Sequence, residues 1–332
     1  MNRIPISEVP QYIDQHVHIA GWLHNFRKLK HISFLVLRDV SGQAQIVIED
    51  SALIERVACL NRESVLQVEG IVKAVSNAPS GFELHEPCIK VIASASEAPT
   101  FDLFRPEIDA QLPTQLDYAV LSLRHPQRKS RWQIAAAAMQ GFRDTLNQQH
   151  FTEIQTPKIV SSATESGANV FEIDYFGQAA YLAQSPQFYK QMMVGVFERV
   201  FEVGPVFRAE PHTTTRHLSQ YTSLDAEMGF INDHYDVMRL LTEVMRGMVA
   251  SVERLSATAL TMLDCTLPIV PEEIPVLHFT EAQDLYYEGT GTDYRKEPDL
   301  APEQERWLGQ WAWENYQSDF LFITGYPMRK RP

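Results

Sequence analysis

Residues 13–93 alternate apolar and polar side chains with the period of two that is typical of β-strands. Ser41-Gly42 and the stretch 77–81 supply turn signals between the strand-like segments. A helix is expected at 50–60, after the third strand. Five strands with one helix after the third is the order of an OB-fold barrel, and another small β-barrel is the alternative. The predicted strands are 16–23, 33–40, 44–50, 65–75 and 82–92.

The alternation stops after residue 93. Residues 94–130 carry four prolines and no sustained period, which is typical of a linker that partly packs. We therefore expect a domain boundary between residues 100 and 125. The predicted organisation is a barrel domain at 1–100, a hinge at 101–130 and a second domain at 131–332.

The second domain opens with a helical period. Apolar residues recur at three- and four-residue steps between 130 and 150, which predicts a helix with one buried stripe. The stretch 151–160 follows as a strand, in which Pro157 removes a hydrogen-bond donor and so favours an edge or interface position. The predicted stripe consists of Trp132, Ala136, Met139, Phe142 and Leu146.

The sequence next predicts a second helix, two strands and a long third helix. Ser185 before Pro186 is a good helix start, with Ser185 as the N-cap and Pro186 as the first helical residue. Strands are predicted at 199–210 and 221–231 because apolar side chains alternate there with polar ones. A long amphipathic helix is predicted to cover 232–255.

Charged residues share one face of these two strands. Glu202 and Arg208 have the same parity on the first strand, and Asp225 and Glu227 do so on the second. If the strands pair as a hairpin, the two faces merge into one floor, where an arginine suits phosphate or carboxylate oxygens. Tyr221, where the loop returns, could stack on a base. From these residues alone, a structural salt bridge in the hairpin is the favoured alternative.

Composition limits the possible partners and compartments. The net charge of −13 counts against diffuse binding of nucleic acid, which depends on basic surface. The stretch 24–31 holds three cations, and by itself it reads as a solvated hairpin loop. Cys59, Cys88 and Cys265 are far apart, which favours a reducing compartment over a zinc or disulfide framework. A polar N-terminus and the lack of an apolar run of about 18 residues predict a cytoplasmic protein without a membrane span.

Three stretches carry a resemblance to a known family. VGPVFRAEPHTTTRHLSQYTSLDAEMGF, residues 203–230, resembles motif 2 of class II aminoacyl-tRNA synthetases, in detail the aspartyl-tRNA synthetases of archaeal and eukaryotic type. FTEIQTPKIV, residues 151–160, resembles motif 1, whose proline lies in the dimer interface. ATESGANVFEIDYFGQAAYLAQSPQFYKQ, residues 163–191, resembles the amino-acid-binding segment.

The resemblance implies an α+β fold, with an OB-fold anticodon-binding barrel followed by a catalytic domain built on an antiparallel sheet. It also implies aspartate, ATP and tRNA as substrates, and a homodimer formed through the region of Pro157. Arg208 is the implied catalytic residue, which binds the α-phosphate of ATP and the carboxylate of the activated amino acid. Lys190 is implied to pair with the aspartate side chain. The other implied aspartate contacts are Glu165, Ser185, Gln187 and Asp225, and the other implied ATP contacts are Glu210, Arg216, His217 and Tyr221.

The choice between aspartate and asparagine depends on Lys190. A fixed ammonium favours a carboxylate over a neutral amide, because the wrong ligand leaves its charge unpaired. Asparaginyl-tRNA synthetases usually lack the QSPQxxK pattern found at 184–190, and they tend to carry Glu-Pro in place of 224–227. We expect aspartate, with asparaginyl-tRNA synthetase as one alternative. A non-catalytic tRNA-binding paralogue is the alternative from a different class.

Residues of the barrel are implied to read the anticodon. Phe34 matches the phenylalanine that stacks on the central base, although the residues alone favour a place in the barrel core. Gln45 and Glu83 match residues that hydrogen-bond the same base. His24 and Pro79 match members that load aspartate onto both tRNA-Asp and tRNA-Asn, which predicts a non-discriminating enzyme that depends on an amidotransferase.

The sequence ends at 326–332, before the segment in which relatives carry motif 3. That segment also holds their acidic Mg²⁺ ligands. We expect Mg²⁺ to accompany ATP in the family and assign no metal ligand in this chain. The expectation is a catalytic domain truncated before motif 3, which would be a fragment, the product of an interrupted gene or a shortened paralogue.

Overall fold

The computed structural model describes residues 2–164, 169–210 and 218–328. The chain divides into two compact units, Met1–Lys129 and Ser130–Pro332. Each unit has its own hydrophobic core.

The first unit is built around a closed β-barrel with strand order β1-β2-β3-β5-β4. A 3₁₀ helix, Ile6–Tyr12, packs against it, and α1 lies between β3 and β4 as expected for an OB-fold. Asp50 caps α1 by accepting hydrogen bonds from the N–H groups of Ala52 and Leu53. The elements are β1 (His16–Lys28), β2 (Ser33–Arg38), β3 (Gln43–Ile48), α1 (Ser51–Ala58), β4 (Val65–Ala74), β5 (Phe82–Ala93), α2 (Leu112–Asp117) and α3 (Ala119–Ser122).

The five predicted strands and the helix are confirmed, and the interpretation of residues 24–31 as a solvated hairpin loop is partly confirmed. Residues 24–28 are part of β1, which pairs with β2 as far as the partners Lys28 and Ser33, so the hairpin loop is shorter than predicted, and residues 27–31 are exposed. The ladder shifts register between Leu23 and Asn25, and His24 at that shift is buried. A bulge of this kind breaks the simple alternation from which the strand was predicted to end at residue 23.

The second unit combines short mixed sheets with long helices. Its principal sheet has the order β11-β10-β6, and β7, β8 and β9 form a second sheet. Parallel strands β12 and β13 pair beside α7 and α8. The elements are α4 (Pro126–Gln148), β6 (Thr152–Glu153), β7 (Ile159–Val160), β8 (Glu172–Tyr175), β9 (Gln178–Leu182), α5 (Gln187–Phe197), β10 (Arg199–Phe207), β11 (Gln220–Met228), α6 (His234–Leu263), β12 (Val276–His278), α7 (Phe279–Thr290), α8 (Pro302–Tyr316) and β13 (Phe322–Thr324).

The stripe predicted for α4 is partly wrong. Phe142 and Leu146 are buried, whereas Trp132 is 66% exposed and Ala136 is also exposed. The reason is a close approach of α4 to α6: a Cβ added to Gly141 would lie 2.6 Å from the carbonyl oxygen of Gly247. Backbones that meet this closely bury the helix face that contains the glycine, and a hydrophobic pattern does not reveal that face.

Candidate aminoacylation site

The predicted hairpin exists, and its register brings the charged residues together. Strands β10 and β11 pair antiparallel, with Glu202 opposite Asp225 and Gly204 opposite Ser223. Phe201, of the other parity, packs in the core with Phe142. One face of the hairpin is therefore part of the hydrophobic core, as alternation requires. The opposite face carries the charged residues, and we call it the polar floor: Glu202, Arg208, Asp225 and Glu227.

Lys190 extends from α5 to this floor. Its Nζ lies 3.1 Å from Oδ1 of Asp225 and 3.4 Å from Oε2 of Glu227. The lysine side chain is 5% exposed, so its charge is almost removed from water. A buried ammonium needs such carboxylate partners, and they fix its position.

Ser185 and Gln187 lie at the start of the same helix. The helix begins at Gln187 with Pro186 as the N-cap, one residue later than predicted. Ser185 still satisfies the helix end, because its Oγ accepts a hydrogen bond from the Gln187 N–H at 3.2 Å. The Gln187 side chain donates to Oε2 of Glu227 at 3.2 Å, which links the helix start to the floor.

Arg208 follows the last residue of β10 and is half-buried. Its backbone N–H donates to the Ser219 carbonyl at 3.0 Å, so the hairpin pairing continues to this position. Glu210 and Tyr221, near the two ends of the loop, are also half-buried. Glu165, Arg216 and His217 lie outside the described residues.

A second charged group lies on the same face of β10. Glu202 is 1% exposed and its Oε1 lies 2.8 Å from Nζ of Lys158. Thr156 donates its backbone N–H to Oε1 at 3.1 Å and its hydroxyl to Oε2 at 2.7 Å. The floor therefore contains two ammonium–carboxylate groups, one built on Lys190 and one on Lys158.

The barrel presents a separate polar face. Leu35 is fully buried, so Phe34, the preceding residue of the same strand, points out of the barrel core and is half-buried. The alternative that Phe34 belongs to the barrel core is therefore excluded. The Arg27 guanidinium lies 5.3 Å from the centre of the Phe34 ring. Gln45 and Glu83 are partners in the parallel pairing of β3 and β5, and the Gln45 amide donates to Glu83 at 2.7 Å.

His24 and Pro79 have different surroundings. His24 is 5% exposed, and its Nδ1 lies 2.8 Å from a guanidinium nitrogen of Arg38. Burial lowers the pKa of His24 to about 4, and the neighbouring Arg38 charge acts in the same direction. Arg38 also donates to Glu63 at 2.9 Å. Pro79 is exposed in the loop between β4 and β5.

Comparison with known proteins agrees with this architecture. The family model described as tRNA synthetases class II (D, K and N) matches residues 111–332. The model described as OB-fold nucleic acid binding domain matches residues 17–92. The chain belongs to the class II tRNA synthetases. This synthetase has the barrel and the hairpin in the order that the sequence motifs predicted.

Individual relatives resemble the synthetase over nearly its whole length. It is 44% identical over 332 residues to the Aspartate--tRNA(Asp/Asn) ligase of Deinococcus radiodurans, covering 100% of the chain and 75% of that protein. It is 41% identical over 330 residues to the ligase of the same name from Thermus thermophilus, covering 99% and 76%. The crystal structure of asparaginyl-tRNA synthetase from Pyrococcus horikoshii with asparaginyl-adenylate matches with a TM-score of 0.89 at 30% identity, covering 99% and 76%.

Alternation placed Glu227 and Glu202 on the polar face, but the sequence did not predict their contacts. Glu227 contacts both Lys190 and Gln187, and its parity with Asp225 was the available signal. The contact between Glu202 and Lys158 joins residues 44 positions apart, and no pattern in the sequence predicts it. Within the described ranges, no group of three or more His, Cys, Asp or Glu side chains could hold a metal ion. In the same part of the chain, no helix is long and apolar enough to cross a membrane.

Proposed function

We propose that this synthetase is an aspartate–tRNA ligase, which activates aspartate with ATP and transfers it to tRNA. The observation that carries the proposal is the buried ammonium of Lys190, held at the polar floor by Asp225 and Glu227. The names of relatives at 44% and 41% identity support the same substrate.

Lys190 can distinguish aspartate from asparagine. An ammonium has three N–H donors and no acceptor. Two of them suffice for Asp225 and Glu227, and we assign the third to the side-chain carboxylate of aspartate. The side-chain amide of asparagine carries no charge to pair with the Lys190 ammonium. Its NH₂ group would also place N–H donors against the N–H donors of the lysine. Gln187 and Glu165 are the proposed contacts of the substrate ammonium, and Ser185, before the start of α5, is the proposed support of the pocket.

ATP is the proposed second substrate, bound along the strand end and the loop. Arg208 would hold the α-phosphate and the substrate carboxylate, since a guanidinium pairs with both kinds of oxyanion. Adenylate formation needs two anions held in line, so the work of these residues is positioning and charge neutralisation. Mg²⁺ accompanies ATP in the family, and the described residues offer no ligand set for it, so no step is assigned to a metal. The remaining proposed ATP contacts are Glu210, Arg216, His217 and Tyr221.

The proposed tRNA site is the outer face of the barrel. Phe34 offers a half-buried ring outside the barrel core for base stacking, with Gln45 and Glu83 as the proposed polar groups for the base edge. We propose tRNA-Asp and tRNA-Asn as acceptors, with His24 and Pro79 as the positions that relax the choice. His24 is buried, so its proposed effect passes through Arg38 and does not involve direct contact with a base.

The remaining features of the proposal concern organisation. Residues 1–100 would bind the anticodon, 101–130 would act as a hinge, and 131–332 would carry the activation chemistry. A homodimer formed through the segment around Pro157 and a cytoplasmic location complete the proposal.

Asparagine is the second candidate substrate, because the asparaginyl-tRNA synthetase of Pyrococcus horikoshii matches with a TM-score of 0.89. The deciding experiment is aminoacylation of tRNA-Asp and tRNA-Asn transcripts with radiolabelled aspartate or asparagine. The proposal predicts aspartate on both transcripts. Charging with asparagine would reject it, and charging of tRNA-Asp alone would reject the relaxed tRNA choice.

A further inference from the structure

Glu202 is a buried carboxylate to which the proposed function assigns no substrate contact. Glu202 has a side chain that is 2% exposed, and it accepts from Lys158 and twice from Thr156. A charge this deep is retained at a desolvation cost, and replacing the whole Lys158–Glu202 pair by well-packed apolar side chains would be neutral or favourable if the pair served packing alone. Its place in the fold therefore deserves a functional explanation.

Glu202 is adjacent to the aspartate pocket. It stands directly opposite Asp225 in the β10–β11 ladder, and Asp225 is one of the two carboxylates that hold Lys190. Side chains directly opposite in an antiparallel pair have Cβ atoms about 4.5–5.5 Å apart, and like charges there repel each other. The hairpin avoids this repulsion because each carboxylate has its own lysine.

The Lys158 ammonium lies over β10, between Glu202 and Gly204. The ammonium would lie 3.4 Å from a Cβ added to Gly204, and Oε1 of Glu202 would lie 3.2 Å from the same point. The missing side chain at Gly204 thus leaves room for the pair on the polar face. The ammonium is also 3.1 Å from the Thr156 hydroxyl, which orients it towards Glu202.

We propose that Lys158 and Glu202 are a positioning pair that sets the charge of the floor beside Lys190 and so tunes the affinity for the side-chain carboxylate of aspartate. This inference rests on the proposed function, since it requires aspartate to bind at Lys190. Without the Lys158 charge, Glu202 is an uncompensated anion next to Asp225 and opposes an incoming carboxylate. Without the Glu202 charge, Lys158 is an uncompensated cation and attracts one.

The two single substitutions therefore act in opposite directions. We expect Lys158→Met to weaken aspartate binding about tenfold and Glu202→Gln to strengthen it about threefold. The double variant, which restores the charge balance, should return to within about threefold of the wild type. A merely structural role predicts that both single variants weaken binding and that the double variant is no better.

The measurement is calorimetric titration of the 332-residue chain with L-aspartate, and separately with ATP. ATP affinity should change less than about twofold in every variant, because the pair acts on the amino-acid side of the site. Arg246→Met is the matched control, since it removes a cation from an exposed pair with Glu243 on α6. If Lys158→Met does not fold by circular dichroism, Lys158→Arg should keep the wild-type affinity and Glu202→Gln should still tighten it.

The outcomes separate the two proposals. A wild-type chain that binds asparagine and not aspartate, or neither, rejects the proposed function and this inference with it. A wild-type chain that binds aspartate, with both single variants weaker or both unchanged, rejects the positioning pair alone. Opposite shifts with recovery in the double variant support it.

Discussion

Replacing Lys190 with methionine tests the proposed pocket at its centre. Methionine keeps most of the apolar stem and removes the ammonium that lies 3.1 Å from Asp225 and 3.4 Å from Glu227. The substitution therefore removes the donor assigned to the aspartate side chain. It also leaves two carboxylates on the floor without their cation.

The structure sets the size of the effect. A hydrogen bond to a charged group contributes about 1.5–3 kcal/mol. Repulsion by the two uncompensated carboxylates adds about 1 kcal/mol, a modest figure because their side chains remain 18% and 28% exposed and are screened by water. The expected loss of aspartate binding is ~3 kcal/mol, or about a hundredfold.

Calorimetric titration with aspartate and with asparagine provides the assay. Aspartate affinity should fall about a hundredfold in Lys190→Met, whereas asparagine affinity should change less than about threefold. The ratio of aspartate affinity to asparagine affinity should therefore decrease. Arg246→Met, an exposed cation on α6, serves as the control that should leave both affinities unchanged. An aspartate affinity that stays within about threefold of the wild type in a folded Lys190→Met chain would refute the reasoning.

Three further predictions concern the barrel and the helices. Phe34→Ala should weaken binding of a tRNA-Asp anticodon stem-loop by about 1–3 kcal/mol in a fluorescence titration, and Phe176→Ala, which removes a 93% exposed ring in the other unit, should not. The pKa of His24 is lowered from 6.5 to about 4 in the folded chain. Between pH 6.5 and about pH 4 the unfolded chain therefore binds a proton at His24 that the folded chain does not, and the free energy of unfolding falls as the pH decreases over this range. Thermal unfolding should show a loss of about 3 kcal/mol across that window in the wild type that is absent from His24→Gln, and identical pH profiles would contradict it. Gly141→Ala should destabilise the second unit by about 1–3 kcal/mol in denaturant unfolding, because its Cβ would lie 2.6 Å from a carbonyl oxygen of α6. Gly195→Ala, which meets nothing within 4 Å, should be neutral or slightly stabilising, and equal effects of the two would contradict the close packing.

The features that the sequence predicted well are those encoded by local alternation. The strands of the barrel and the β10–β11 hairpin bury one face each, so a period of two along the chain marks both the strand and its inward side. The same alternation placed Glu202, Arg208, Asp225 and Glu227 on a common face, and the observed register has Glu202 opposite Asp225.

The features that were missed depend on contacts between distant segments. His24 lies at a register shift in β1, where alternation no longer tells the inward side from the outward one. The buried face of α4 follows from its approach to Gly247, which lies 106 positions beyond Gly141. The Lys158–Glu202 pair is likewise non-local, and a lysine beside a proline in the segment between β6 and β7 carries no signal of its partner.

The most direct test of aspartate activation is ATP–pyrophosphate exchange by the purified 332-residue chain, with aspartate and asparagine supplied in separate reactions. We predict exchange that depends on aspartate and is at background with asparagine. Exchange that depends on asparagine, or a folded chain that exchanges with neither amino acid, would contradict the central claim.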